Sequence, residues 1–326
     1  MSQRLCAISV DLDAIAHYRG LYGLAPQPAG ETAVHGVALE RMAAFARGLA
    51  LPLTLFAVGR DLERRESAER LGELGRAGHA VENHSYGHRY DLGRLGPDEV
   101  RRELELGHER IVGAVGRAPQ GFRAPGYGIS DTLLAELDRL GYRYDSSAFG
   151  CPPYYLLKAA KMLGLRMRGR PTVAVLGPPL GQLAPIGPYR PARPWYRPGG
   201  RGVLELPIQV TPRLRLPVIG STLLLAGRRF ACRLVRACAT GPLVNIELHG
   251  IDFLERQDGI EDVAAVQADV RLPLAYKLEL FGAVVAELKA AGCRFVRLDE
   301  AAAALASVDQ NVWDSDSCGT HSAKMP

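Results

Sequence analysis

Two histidines four residues apart, His84 and His88, have the clearest chemical potential in this chain. Two imidazoles at this spacing can bind one metal ion, and a carboxylate pair, Asp11 and Asp13, follows an earlier apolar stretch. Two histidines and one carboxylate leave coordination positions open for water and substrate, as a hydrolytic metal centre requires. The pattern therefore predicts an enzyme with one divalent metal ion. Zinc suits this ligand set, and Co²⁺, Ni²⁺ or Fe²⁺ would also fit.

Alternating strand-like and helix-like segments surround these residues. Short apolar segments predict eight strands, at 5–12, 51–59, 79–85, 121–125, 142–149, 203–210, 243–249 and 293–298. Apolar residues at three- and four-residue spacing predict helices at 34–49, 63–77, 97–115, 131–140 and 274–291. This alternation is typical of a mostly parallel sheet, either closed as a barrel or open.

Polar candidates follow the predicted strands where each one ends. Asp11 and Asp13 come after the first strand, and His84, Arg123 and His249 end or follow later ones. Parallel α/β folds place their chemistry at the carboxyl ends of the strands. We therefore expect these side chains to lie close together.

Residues 151–202 interrupt the alternation of strands and helices. This segment begins with a helix-like run and continues as a stretch rich in proline and glycine, and strand-like sequence resumes at 203. We interpret it as a lid or loop inserted in a single domain that spans residues 1–306. Residues 307–326 are polar, which predicts a disordered tail.

Composition restricts the class of protein. The chain has 326 residues, of which 47% are hydrophobic, enough for the core of a large α/β domain. Its net charge of +5 includes no long block of basic residues, so no nucleic-acid partner is predicted. The six cysteines form no C-x-x-C pair, which favours reduced thiols. The first residues lack the apolar region of a signal peptide, and no apolar run approaches the roughly 20 residues of a membrane span. We predict a cytoplasmic protein.

Six motifs, in this order, resemble those of the NodB-homology polysaccharide deacetylases, carbohydrate esterase family 4. They are VDLD at 10–13, NHSYGH at 83–88, FRAPGY at 122–127, YDSS at 144–147, ELP at 205–207 and LH at 248–249. The resemblance covers about residues 5–300. It implies a distorted (β/α) barrel of about seven strands, one divalent metal ion, and hydrolysis of an N-acetyl or related amide, usually on an amino sugar.

The resemblance also assigns roles to residues of this chain. Three would bind the metal: Asp13, His84 and His88. Two would transfer protons, with Asp11 as the general base and His249 as the general acid. Hydrolysis of an amide needs a polarised carbonyl, a deprotonated water and a protonated leaving nitrogen, so these residue types suit the reaction.

Other positions would hold the base and the substrate. Arg123 would position Asp11, and Pro125 and Tyr127 would contact the substrate, with the backbone near Tyr127 helping to bind the oxyanion. Trp195, in the inserted segment, is the candidate for the tryptophan of the family's fourth motif.

The first motif departs from the family pattern, because its two aspartates are separated by one residue. The Asp-x-Asp spacing resembles the subgroup that contains lipid-linked aminoarabinose deformylases and cytoplasmic deacetylase-like proteins. A lipid-linked or nucleotide-linked glycan precursor is therefore a candidate substrate, and the protein could contact the inner face of the membrane peripherally. Alternative functions are hydrolysis of a cyclic amide or imide by the same fold, and a deacetylase-like binding protein without activity.

Several residues have two interpretations. Residues 154–168 have apolar and basic residues on different faces, which fits either a core-packed helix with solvated Lys and Arg, the favoured interpretation, or an interfacial membrane helix. Glu247 and Asp252 flank His249 and could orient it. The remaining histidines, among them His17 and His35, are interpreted as structural or solvated.

Overall fold

The structure is a computed structural model that describes residues 3–306, and the predicted tail at 307–326 lies outside the described residues. One sheet of parallel strands forms its centre. The strands are β1 (Leu5–Asp11), β2 (Leu53–Ala57), β3 (Ala80–Asn83), β4 (Gly121–Phe122), β5 (Tyr144–Asp145), β6 (Leu204–Glu205), β7 (Leu243–His249) and β8 (Arg294–Phe295). Every one of the eight predicted strands is present, although most are shorter than predicted.

The sheet is curled towards a barrel. Its strands follow the order β6-β5-β4-β3-β2-β1-β7, and β8 pairs with the first residues of β1. The chain just after β6 returns to β7, where the Gln209 N–H donates to the Asn245 carbonyl oxygen at 2.9 Å. The predicted distorted (β/α) barrel of about seven parallel strands is therefore confirmed.

Within the described residues 3–306, residues 298–306 are α-helical and ten α-helices precede them. They are α1 (Ile15–Tyr22), α2 (Leu39–Leu49), α3 (Arg65–Arg76), α4 (Pro97–Val115), α5 (Asp131–Arg139), α6 (Pro152–Met167), α7 (Gly220–Ala226), α8 (Arg228–Cys238), α9 (Glu261–Val266) and α10 (Leu274–Ala290). The five predicted helices correspond to α2, α3, α4, α5 and α10, and a π-helical turn, Val34–Ala38, precedes α2. The predictions missed α1, α7, α8 and α9, and also the helix at 298–306.

Alternation along β1 explains why polar groups gather at one end of the barrel. Cys6, Ile8 and Val10 pack in the large apolar cluster beneath the helices. The intervening residues face the barrel interior, where Leu5 and Ala7 belong to an apolar cluster that fills its base. Ser9 and Asp11, nearer the carboxyl end, continue this interior face with polar groups. The strand thus changes from apolar to polar where parallel folds hold their sites.

Residues 151–202 connect β5 to β6 and contain α6, followed by mostly irregular chain. Leu165 is the one buried residue of α6, so the favoured interpretation as a core-packed helix does not describe it. The interpretation of this segment as an inserted lid or loop stays a prediction. Across the described residues, no helix combines the length and the apolar character needed to cross a bilayer.

Candidate metal centre and active site

Asp13, His84 and His88 converge at the carboxyl end of the sheet. The Asp13 Oδ1 atom lies 3.2 Å from His84 Nε2 and 3.1 Å from His88 Nε2. All three side chains are buried, and one ligand atom from each lies within 4.8 Å of the others. Asp13 comes two residues after the end of β1, and His84 directly follows β3, so the ends of the two strands on either side of β2 bring together residues about 70 positions apart.

The second histidine reaches the first through a tight loop and not along a helix. Ser85 and His88 both have positive φ angles, 63° and 52°. Non-glycine residues rarely adopt this left-handed region, and such backbone strain is concentrated at functional sites. The Ser85 hydroxyl accepts a hydrogen bond from the His88 N–H at 3.0 Å, which fixes the turn.

The donor set fits a divalent metal ion. Asp13 Oδ1 and both ring nitrogens of His88 are buried without a hydrogen-bond partner, a costly arrangement for polar atoms. The Nδ1 atom of His84 lies 2.7 Å from the Arg123 carbonyl oxygen, so Nδ1–H donates there and Nε2 keeps its lone pair. Burial opposes ionisation of Asp13, but His88 and His84 lower its pKa well below the usual value. An ionised carboxylate and two available imidazole nitrogens are what zinc and related ions bind.

Arg123 holds the first aspartate from inside the barrel. Its guanidinium is fully buried, and Nη1 donates to Asp11 Oδ1 at 2.7 Å. The remaining donors contact the Ser9 hydroxyl and the Ser146 hydroxyl and carbonyl oxygen, at 2.8 to 2.9 Å. Phe56 lies under the guanidinium, 4.3 Å from ring centroid to Cζ. The Asp11 carboxylate is thereby fixed, with its Oδ2 atom 3.7 Å from His84 Nε2.

A second polar group stands beside this aspartate. His249 ends β7 and is the register partner of Asp11, and atoms of Asp11, Glu247 and His249 lie within 4.8 Å of one another. Burial lowers the pKa of His249, but Glu247 and Asp11 more than offset this and raise it to about 9 in the metal-free chain. Burial raises the pKa of Glu247, with the Asp11 charge adding to it. In the metal-free chain these charges therefore favour the protonated form of His249.

The predicted substrate residues lie around a neighbouring cavity. Tyr127 and Trp195 line the same cavity of about 40 Å³, while Pro125 is buried beside it at the start of the same 3₁₀ turn. The Tyr127 hydroxyl donates to Glu247 Oε2 at 2.8 Å, which connects this wall to the His249 group. The Tyr127 N–H donates to the Ala124 carbonyl oxygen in this structure, so its part in an oxyanion site stays a prediction.

Sequence reasoning missed three residues near the metal ligands: His17, His35 and Asp61. The ring of His17, on α1, lies 4.1 Å from that of His88, and both line a cleft of about 440 Å³. Burial lowers the pKa of His17 to about 3, with the nearby His88 adding to this, so the ring is neutral. The sequence signal that could have identified His17 was its spacing: it follows Asp13 by four residues, which places the two residues on the same side where α1 begins. The other two residues form a pair: His35 Nε2 and Asp61 Oδ2 lie 3.9 Å apart, and both atoms are buried without a hydrogen-bond partner.

These features define a class: a parallel (β/α) barrel with an Asp-His-His cluster and a second acid-base group at the carboxyl ends of its strands. Residues 39–144 match the family model of the polysaccharide deacetylases. Together with the six ordered motifs, this match supports homology of the chain to the NodB-homology polysaccharide deacetylases of carbohydrate esterase family 4.

Two relatives illustrate the similarity. The peptidoglycan deacetylase of Helicobacter pylori is 30% identical over 165 residues, which cover 47% of this chain and 53% of that protein. The match therefore spans about half the length of the curated relative. The crystal structure of a suspected polysaccharide deacetylase from Mycobacterium smegmatis is similar with a TM-score of 0.59 and 16% identity, covering 94% of this chain and 92% of that one. At this identity the second similarity concerns the fold.

Proposed function

We propose that this protein is a metal-dependent hydrolase that removes an N-acetyl or N-formyl group from an amino sugar. The observation that carries the proposal is the Asp13, His84 and His88 cluster beside an aspartate that Arg123 fixes. The peptidoglycan deacetylase relative supports an amino-sugar substrate. The Asp-x-Asp spacing favours a lipid-linked or nucleotide-linked precursor, for which a cytoplasmic location would be suitable.

In this proposal Asp13, His84 and His88 hold one divalent ion, with zinc favoured by the two imidazoles. When bound, such an ion polarises the amide carbonyl and makes water more acidic. The residues of the chain position the substrate around it. Of the three ligands, His88 lines the cleft that also contains His17, and this cleft is the proposed access route for the amide group.

Asp11 is the proposed general base. Its Oδ1 atom is occupied by Arg123, so Oδ2, which faces the metal ligands, is the atom left to accept a proton. Asp11 takes a proton from the attacking water as the water oxygen bonds to the carbonyl carbon. Arg123 keeps the carboxylate in place throughout this step.

His249 is the proposed general acid. Its raised pKa keeps a proton on the imidazole at neutral pH, in the metal-free chain. His249 gives this proton to the amide nitrogen as the carbon–nitrogen bond breaks, which releases acetate or formate and a free amine. Glu247 is then a positioning residue. It lies two residues before His249 on β7, and its carboxylate stabilises the imidazolium.

The proposal is tested by metal analysis combined with a substrate screen. N-acetylated and N-formylated sugars, free, nucleotide-linked and lipid-linked, are assayed for released acetate or formate with wild type, His84→Ala and His249→Ala. We expect His84→Ala to lose the metal and activity together. His249→Ala should keep the metal and lose roughly 10²- to 10⁴-fold in kcat, the usual scale for general acid catalysis.

Two results would contradict the proposal. Turnover that is equal in His84→Ala and wild type would remove the metal site from the reaction. Hydrolysis of cyclic ureides or imides, with all N-acylated sugars left intact, would favour the cyclic amide alternative.

A further inference from the structure

Helix α6 faces outward with its apolar side. Leu156, Ala160, Leu163 and Met167 recur at four- and three-residue spacing, which places them on one face. The three large residues are strongly exposed: the exposed fraction is 67% for Leu156, 59% for Leu163 and 80% for Met167. We call these four residues the α6 stripe. An amphipathic helix normally turns such a face to the core, so the α6 stripe needs another apolar environment.

The lysines of α6 face the body of the protein instead. Lys158 Nζ donates to the Gly126 carbonyl oxygen at 3.2 Å, and Lys161 Nζ lies 4.0 Å from the centroid of the Tyr22 ring. These contacts fix how the helix is rotated. The exposure of the α6 stripe is therefore a consequence of specific contacts on the opposite face.

Exposed apolar residues are concentrated in the same segment. Of the twelve large apolar side chains that are exposed within residues 3–306, seven belong to residues 151–202. Besides the α6 stripe they are Leu157, Val173, Leu180 and Leu183. A segment of 52 residues thus presents more than half of the exposed apolar groups, which is typical of an interaction surface.

Charge identifies the partner of this surface. Between Asp145 and Glu205 the chain has no acidic residue and nine Lys or Arg. Arg166, Arg168 and Arg170 are exposed at the end of α6 and just beyond it, beside the α6 stripe. Apolar side chains flanked by cations, without acids between them, suit the interface of a bilayer with anionic lipids. A nucleic acid would match the cations but leave the leucines in water.

The surface also leads towards the candidate active site. A groove of about 350 Å³ runs beneath α6, bounded by Tyr22 of α1, Leu157 and Lys158 of α6 and Leu225 of α7. Lys158 lines both this groove and the cavity that contains Tyr127. A molecule anchored in a bilayer that contacts the outer face of α6 would therefore meet the wall of the site without leaving the membrane surface.

We propose that the α6 stripe docks this protein on an anionic lipid bilayer, so that an amide-bearing sugar anchored in that bilayer reaches the catalytic residues. The part that concerns substrate delivery rests on the proposed function, while docking itself does not. Insertion of the α6 stripe removes apolar area from water, and Arg166, Arg168 and Arg170 interact with lipid phosphates.

Vesicle co-sedimentation tests the docking. Full-length protein is mixed with vesicles of phosphatidylcholine alone or with one third phosphatidylglycerol. The stripe variant is Leu156→Gln, Leu163→Gln and Met167→Gln, and its matched control is Val37→Gln with Val112→Gln, two exposed apolar residues outside the segment. We expect wild type and control to bind the anionic vesicles equally and the stripe variant to bind at least tenfold more weakly.

A charge variant tests the cations separately. Arg166→Gln, Arg168→Gln and Arg170→Gln should weaken binding to anionic vesicles and reduce its dependence on salt. The matched control replaces three exposed arginines elsewhere, Arg47, Arg76 and Arg102, with glutamine. Because this control has the same net charge, any difference between the two variants reports position.

The inference is overturned if wild type does not bind anionic vesicles, or if the stripe variant binds as well as wild type. It is likewise overturned if wild type forms a dimer that the stripe variant loses while neither sediments with vesicles, since a second copy would then cover the α6 stripe. Turnover of a water-soluble N-acylated sugar is measured in parallel and should be unchanged in the stripe variant. Failure of the proposed function would abolish that turnover in all forms and leave vesicle binding intact.

Discussion

Arg123 determines where the carboxylate of Asp11 lies, and its removal leaves several buried polar groups without partners. Arg123→Ala should destabilise the protein by about 3–5 kcal/mol, because an unpaired buried carboxylate remains. Arg139→Ala is the control: this arginine also pairs with carboxylates but is about half exposed, so its loss should cost about 1 kcal/mol or less. Urea denaturation of both variants measures the difference. Equal midpoints would show that the Asp11 pair does not stabilise the fold.

Glu247 should control the proton on His249. Glu247→Gln removes a negative charge beside the imidazole, so the imidazolium is less stable and the pKa of His249 falls from its raised value. Catalysis requires protonated His249, so the basic limb of the kcat profile should move to lower pH, by roughly one to three units. The profile is recorded from pH 5 to 10 beside Glu279→Gln, an exposed control. An unshifted basic limb in Glu247→Gln would exclude this role.

At this scale the sequence predicts ligands better than it predicts their supports. The identities and spacing of His84, His88, Asp11 and Asp13 were enough to propose a metal centre. The hydrogen bond from Tyr127 to Glu247 joins residues 120 positions apart, so no local pattern reports it. The stacking of His17 on His88 likewise depends on how α1 leaves β1, which is a tertiary property.

At the scale of elements, α4 supports the loop that carries the metal histidines. Gly107 of α4 packs directly against the end of β3: an added Cβ would clash with the Asn83 side-chain oxygen and crowd Ser85. The Asn83 amide also donates to the Leu104 carbonyl oxygen and the Tyr142 hydroxyl, which ties β3 to its surroundings. Close approach of α4 therefore positions the residue before His84.

Gly107→Ala should displace α4 or the 84–88 loop. We expect the free energy of unfolding to fall by about 1–3 kcal/mol, as it does at overpacked sites, and metal binding to weaken. Gly113→Ala on the same helix is the matched control, because no atom lies within 4 Å of its added Cβ. That change should stabilise the helix by up to about 1 kcal/mol. Thermal unfolding and metal titration of both variants test whether the Gly107 contact supports the 84–88 loop. Identical behaviour of the two variants would mean that the loop does not depend on this contact.

Element boundaries show why sequence patterns succeed for some segments and fail for others. The predicted helix at 97–115 agrees with α4, where a proline at the first turn and a glycine after the last mark both ends. By contrast α1 spans eight residues, too few for a helical period to be visible. For α6 the apolar and basic faces were recognised, but which face turns to the protein depends on contacts of Lys158 and Lys161 with distant residues.

At the scale of the whole molecule, the curled sheet collects residues from the entire chain at one rim. Asp11 and His249 are register partners on adjacent strands although they lie 238 positions apart in sequence. Strand and helix alternation predicted the parallel sheet, and the ordered motifs predicted a barrel. The return of the chain after β6 to β7, through Gln209 and Asn245, could not be predicted, because it depends on the path of the long segment between them.

The central claim is that one metal ion, held by Asp13, His84 and His88, is required for hydrolysis of an N-acylated sugar. Its most direct measurement is a zinc titration of chelator-stripped protein while acetate or formate release is followed. We expect negligible release before zinc is added, a linear rise with added zinc and a plateau at one equivalent per chain, with no response in His84→Ala. Full release by stripped protein, or no release at any zinc level from every N-acylated sugar tested, would contradict it.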